Sequence, residues 1–136
     1  MSYKNTFIKV SEDCPVSISE IPKEKVGKKP AHLIQYELLT NKPYTFDHES
    51  LIFEVYLQHK NIPKEITAQE KQEMWQQMFS KGHPCMRASA LVKRYGFGAH
   101  YNDEGKIAIY PVESAAYKEL LENASVKKLP GMKSKR

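Results

Sequence analysis

Between residues 79 and 101 the chain cannot continue as one helix. Phe79-Ser80-Lys81-Gly82-His83-Pro84-Cys85-Met86-Arg87-Ala88-Ser89 is interrupted at Gly82 and Pro84. Lys93-Arg94-Tyr95-Gly96-Phe97-Gly98-Ala99-His100-Tyr101 is interrupted again at Gly96. Glycine admits the left-handed residue that ends a helix, and proline lacks the N–H that a helix interior needs. The residues N-terminal to this stretch have helical periodicity, and those C-terminal to it alternate. The pattern predicts a helical half and a hairpin half, joined by the segment that mixes thiol, imidazole, hydroxyl and cation most densely.

On the helical side, Ala31–Asn41 carries Leu33, Ile34 and Leu38 on one face and stops at Pro43. Asp47 is placed to cap a second helix, in which Leu51, Ile52, Val55 and Tyr56 form an amphipathic stripe closed by Pro63. Thr67-Ala68-Gln69-Glu70 is a capping box. It opens a third helix whose expected buried stripe is Met74, Trp75, Met78 and Phe79, with Gly82 as its left-handed stop. A short helix is expected over 87–95, beginning near Pro84-Cys85. On the hairpin side, residues 97–101 and 106–110 alternate around Asn102-Asp103-Glu104-Gly105. Ser114 caps a last helix with Tyr117, Leu120, Leu121 and Ala124 inward. Residues 5–10 read as a first strand, and 11–30, with three prolines and Gly27, as a long surface loop. The expected architecture is one α+β domain over 1–126. In it a small antiparallel sheet, the 97–110 hairpin plus the N-terminal strand, packs against four or five helices.

The formal charge is +5. Lys127, Lys128, Lys133, Lys135 and Arg136 account for the whole excess, so 127–136 reads as a basic C-terminal tail on a formally neutral domain. Such a tail aids solubility and offers at most auxiliary contact with phosphate or an acidic surface. No apolar run approaches the roughly 20 residues of a membrane span. The N-terminus lacks the features of a secretory signal, and there are only two cysteines. These features predict a cytoplasmic protein with no membrane partner.

Three kinds of chemistry suit the 79–101 stretch. Cys14, His83, Cys85 and His100 are zinc-ligand types, but their spacing lacks a Cys-x-x-Cys knuckle, and neither a metal nor another cofactor is expected. Cys85, in the first turn of a helix and near Arg87, would favour a thiolate, with His83 or His100 as proton acceptor. Arg87, Ser89, Lys93 and Arg94 near the same helix start would serve an anion, as donors and cations. Interleaved with Tyr95 and Phe97, they also suit single-stranded nucleic acid. Glu12, Asp13, Glu37 and Glu54 give no carboxylate pair. His32, His48 and His59 read as surface residues near helix ends, and no Ser-His-Asp arrangement is legible.

Several of these segments also form a joint pattern: Glu12-Asp13-Cys14-Pro15, Gln35-Tyr36-Glu37-Leu38-Leu39, Asn41-Lys42-Pro43-Tyr44, Phe79-Ser80-Lys81-Gly82, Pro84-Cys85-Met86-Arg87-Ala88-Ser89, Lys93-Arg94-Tyr95-Gly96 and Ser134-Lys135-Arg136. Nearly end to end, the chain resembles an uncharacterised family of small bacterial single-domain proteins. That resemblance implies a compact bacterial protein and transfers no activity, cofactor or catalytic residue. The residues themselves favour a cytoplasmic binding module for an anionic ligand, whether a nucleotide, a nucleic acid, or a phosphorylated or carboxylated metabolite. Arg87, Ser89, Lys93 and Arg94 would be its contacts. The rivals are a small enzyme using Cys85 with His83 or His100, and a protein–protein adaptor without a small ligand.

Overall fold

The computed structural model describes residues 3–134. Its elements, in chain order, are β1 (Thr6–Lys9), α1 (Ala31–Asn41), α2 (His48–His59), α3 (Ala68–Met78), a 3-10 turn (Met86–Ala88), α4 (Ala90–Lys93), β2 (Phe97–Tyr101), β3 (Ile107–Pro111), α5 (Ala115–Glu122) and β4 (Lys127–Pro130). The four strands form one sheet in the order β3-β2-β1-β4. β2 pairs antiparallel with both β1 and β3, whereas β4 runs parallel to β1. The fold is α+β, as the sequence predicts, but the sheet is mixed.

Alternation along the strands sorts the core into two layers. Ile8, Phe97, Ala99, Tyr101 and Ile107 face Leu39, Leu51, Met86, Leu91 and Val92 from the helices and the 3-10 turn. Phe7 points to the other face and packs with Tyr117 of α5 and with Val126. Each fully buried aliphatic side chain contributes roughly 1.5–3 kcal/mol relative to exposure. Gly98 makes the second layer possible. A Cβ there would come within 2.6 Å of Tyr117 and 2.7 Å of Phe7, whose rings meet edge-on at 4.9 Å.

The caps agree with the sequence. Asp47 accepts from the Ser50 N–H at 2.9 Å, Thr67 from the Glu70 N–H at 3.0 Å, and Ser114 from the Tyr117 N–H at 3.1 Å. The end of α3 does not. Gly82 is outside the left-handed region, which among the glycines holds Gly27, Gly96 and Gly105. The helix stops at Met78, where the Ser80 hydroxyl donates to the Gln77 carbonyl and His83 meets that of Met78. None of its side chains is fully buried. α3 leans on α2 through Trp75, 5.0 Å from Phe53, so the expected buried stripe is only half covered. The single helix expected over 87–95 is instead the 3-10 turn and then the four-residue α4.

The basic tail requires a larger correction, because its first residues are a strand. Lys127 N–H donates to Asn5 C=O at 3.0 Å and Gly131 N–H to Lys9 C=O at 2.9 Å. Beyond β4, the Met132 carbonyl accepts from Ser11 Oγ at 2.6 Å, and Ser134 N–H donates to Asp13 at 2.9 Å. The side chain of Lys133 meets Glu12 at 3.2 Å. The lysines mask this pairing in a charge-based reading. Lys135 and Arg136 lie outside the described residues.

Two glycine substitutions test the arrangement. At Gly131 an added Cβ would lie 2.3 Å from Val92 Cγ1 and 2.9 Å from the Lys9 carbonyl, whereas at Gly82 it meets nothing within 4 Å. Gly131→Ala should lower stability by about 1–3 kcal/mol through overpacking. Gly82→Ala should stay within about 0.5 kcal/mol of the parent. Thermal unfolding of the two variants checks both values.

Candidate functional site

The sheet separates the residues that the sequence groups together. Cys85 precedes the 3-10 turn, and its thiol lies 3.5 Å from the Tyr3 hydroxyl. Tyr3 stacks edge-on against Tyr101 at 5.3 Å, and the Tyr101 hydroxyl accepts from the Met86 N–H at 3.2 Å. The Tyr3 phenol is pushed above its ordinary value, first by its hydrogen bond with Cys85 and then by burial, against an opposing pull from Arg87. Burial pushes the Tyr101 phenol up as well. Thiol, phenol and guanidinium thus form one cluster on the face that carries α1, α2 and α4. A three-residue turn and a four-residue helix sum too few peptide dipoles to supply the thiolate stabilisation expected of a longer helix.

Neither expected proton acceptor joins Cys85. His83 Nε2 is 2.6 Å from the Met78 carbonyl, and its ring packs edge-on against Phe79. His100 sits between Ala99 and Tyr101 in β2, so its side chain points to the face opposite theirs. There its Nδ1 is 2.8 Å from the Tyr44 hydroxyl, which is 2.7 Å from the Tyr110 hydroxyl. His100 Nε2 is buried and meets no partner among the described residues. A charged imidazole there would hold an N–H without an acceptor. Burial accordingly lowers its pKa, and Asp103 opposes only in part. Burial also raises the Tyr44 phenol. Cys14 interacts with Tyr117 on the α5 face, and both cysteines are free. Among the described residues no three His, Cys, Asp or Glu side chains come together as metal ligands.

The four expected anion contacts also divide. Arg87 is a clamp. Its Nε donates to the Pro130 carbonyl at 2.8 Å, and its own carbonyl accepts from the Met132 N–H at 2.8 Å. Ser89 caps α4 at Leu91 N–H and donates to Gln35 Oε1 at 2.5 Å, tying α4 to α1. Lys93 and Arg94 remain together, lining an open cleft of ≈ 290 Å³ with Ala88, Ala90 and Ser134. Among the described residues neither cation meets a carboxylate. The alanines and Ser134 escape a reading of the sequence. Alanine carries no chemical signal, and Ser134 reaches the cleft only because β4 carries the chain there.

His32 lies beside this cleft, stacked on Tyr95 at 5.1 Å, and its pKa is lowered by burial and then by Arg94 and Lys25. His48 is 5% exposed, which overturns the surface assignment. It opens α2 and packs inward, and burial lowers its pKa, with His83 adding to the effect. Glu54 accepts from Gln58 at 2.9 Å within α2.

The geometry defines a small α+β protein with a mixed four-stranded sheet, two separated polar clusters and a two-cation cleft. Its sequence profile places it within a known group. The chain belongs to a family of unknown function, DUF6157, whose profile matches residues 1–136. No curated protein and no solved structure matches it.

The lowered histidines fix a sign for the pH dependence. His32, His48 and His100 bind protons less readily folded than unfolded. On acidification the unfolded chain takes up protons first. The stability present above the ordinary value of about 6.5 is lost as pH falls through it toward the folded values. The melting temperature should therefore be lower at about pH 5.5 than at about pH 7.5, before the depressed carboxylates of Glu70 and Glu113 are protonated. Imidazole NMR titrations should give midpoints below the unfolded value for these three residues. Unshifted midpoints would contradict the assignment.

Proposed function

We propose that this protein is a cytoplasmic binding module for a small anionic ligand, held in the cleft between Lys93, Arg94 and Ser134. The observation that carries the reading is the pair of cations without a carboxylate partner, among the described residues, over a floor of Ala88 and Ala90. Elsewhere in the polar regions the cations have protein partners: Arg87 has the Pro130 carbonyl, Lys29 has Glu37 and Lys133 has Glu12. Small floor residues let a phosphate or carboxylate approach the backbone. Arg94 supplies a planar fork suited to paired oxygens, and Lys93 a point charge. The cleft is open, so water screens both charges and affinity should be modest, on the order of 100 μM. The cytoplasmic assignment draws on the two free thiols, which suit a reducing compartment.

A second reading, a reactive Cys85, draws on the Tyr3 hydroxyl and the Arg87 guanidinium beside the thiol. It lacks an imidazole partner among the described residues. If it holds, iodoacetamide should label Cys85 at neutral pH faster than it labels the unfolded chain. Equal or slower labelling removes it.

Calorimetric titration with pyrophosphate tests the primary reading. Arg94→Ala should weaken binding about tenfold while leaving the melting temperature near that of the parent. Arg87→Ala should do the reverse. It removes a charged donor from the Pro130 carbonyl and should cost about 1 kcal/mol of stability with affinity preserved. Binding that is insensitive to Arg94→Ala, or absent for pyrophosphate, nucleotides and dicarboxylates alike, would overturn the proposal.

A further inference from the structure

The most strained solvent-facing residue lies far from that cleft. Lys25 and Lys28 exchange both backbone hydrogen bonds at 2.9 Å, closing a two-residue turn. Val26 and Gly27 both have positive φ, 48° and 71°, which makes the turn type I′. That turn favours asparagine or glycine at its first position, and a β-branched side chain is disfavoured there. Val26 is nonetheless fully exposed. The fold therefore gains no burial from Val26 and bears its backbone strain. Ile21, in the same loop, is 60% exposed.

A groove begins at this turn. One cleft, of ≈ 240 Å³, is lined by Gly27 and Lys28 on one side and by Gln58 and Asn61 on the other. Gln58 and Asn61 also line a second cleft of ≈ 730 Å³, so the two are continuous across the C-terminal end of α2. The apolar lining is aliphatic: Ile34, Leu57, Ile62, Pro63 and Ile66. The rims are basic, with Lys28, Lys29, Lys42, Lys64 and Lys71 against Glu24 and Glu54. Of the five lysines only Lys29 meets a carboxylate among the described residues, and Glu54 is already engaged by Gln58.

We infer that this groove docks an extended acidic segment of a partner protein, with carboxylates along the lysine rims and aliphatic side chains against the floor and Val26. Charge complementarity sets the sign of the partner, and the elongated shape suits a peptide better than a compact ion. The lining separates a peptide from single-stranded nucleic acid. Among the described residues neither cleft is lined by Phe, Tyr or Trp, on which bases stack. The surface shares no residue with the Lys93–Arg94 cleft, so either proposal can fail without the other.

The test is fluorescence anisotropy of the full chain with a labelled peptide of alternating glutamate and leucine, beside a single-stranded DNA oligomer of equal charge. The peptide should bind saturably with a Kd of about 10–100 μM that weakens with salt. The double variant Lys64→Glu with Lys71→Glu should weaken it about tenfold or more. Val26→Gly should weaken it about threefold while keeping or raising the melting temperature, because glycine relieves the positive φ. Absence of saturable peptide binding would overturn the inference. So would DNA binding as tight as the peptide's, or an affinity unchanged in either variant.

Discussion

Everything in the structure is fastened to β1, four residues whose backbone is paired on both edges and whose side chains are buried on both faces. Thr6, Phe7 and Ile8 are at most 2% exposed. Ile8 enters the larger core layer and Phe7 the smaller. A strand buried on both faces with an unpaired edge would hold backbone polar groups away from water, at a cost of several kcal/mol. β2 satisfies one edge and β4 the other. The parallel partner must come from a distant part of the chain, because a parallel neighbour cannot be joined by a tight turn. Here it comes from the C-terminus, and the segment beyond it is held by Ser11, Asp13 and Arg87.

That closure decides where chemistry can occur. It places Ser134 beside Lys93 and Arg94, and it takes Arg87 out of ligand binding by giving it the Pro130 carbonyl. The pleat of β2 makes the second decision. Tyr101 and His100 are adjacent in sequence and point to opposite faces. The Cys85–Tyr3–Arg87 cluster and the His100–Tyr44–Tyr110 chain therefore lie on different sides of the sheet. Sequence proximity brings thiol and imidazole together on paper, and the period-two geometry of a strand keeps them apart.

Local signals are legible in the sequence wherever one backbone group meets one nearby side chain. The three helix caps, the bounds of α1 and the hairpin around Gly105 all involve partners within a few residues. The misjudged features depend on distant partners. β4 is hidden because lysine is a poor strand former and its pairing partner lies about 120 residues away. Gly82 resembles a helix stop, yet a serine and a histidine already take the last carbonyls of α3. His48 reads as exposed because a helix N-terminus usually is, whereas the underside of α2 turns it inward. Half of the expected anion contacts, Lys93 and Arg94, share a cleft. Arg87 and Ser89 have types that suit an anion and partners that suit a scaffold.

The central claim is that residues 127–134 are part of the folded sheet and form the wall of the cleft. Native-state hydrogen exchange tests this residue by residue. The amides of Lys127, Gly131 and Met132, bonded to Asn5, Lys9 and Arg87, should exchange as slowly as those of β1 and rise with them in a single cooperative opening. Exchange of these amides at the rate of an unstructured chain, while β1 stays protected, would show a solvated tail and remove the cleft's third wall.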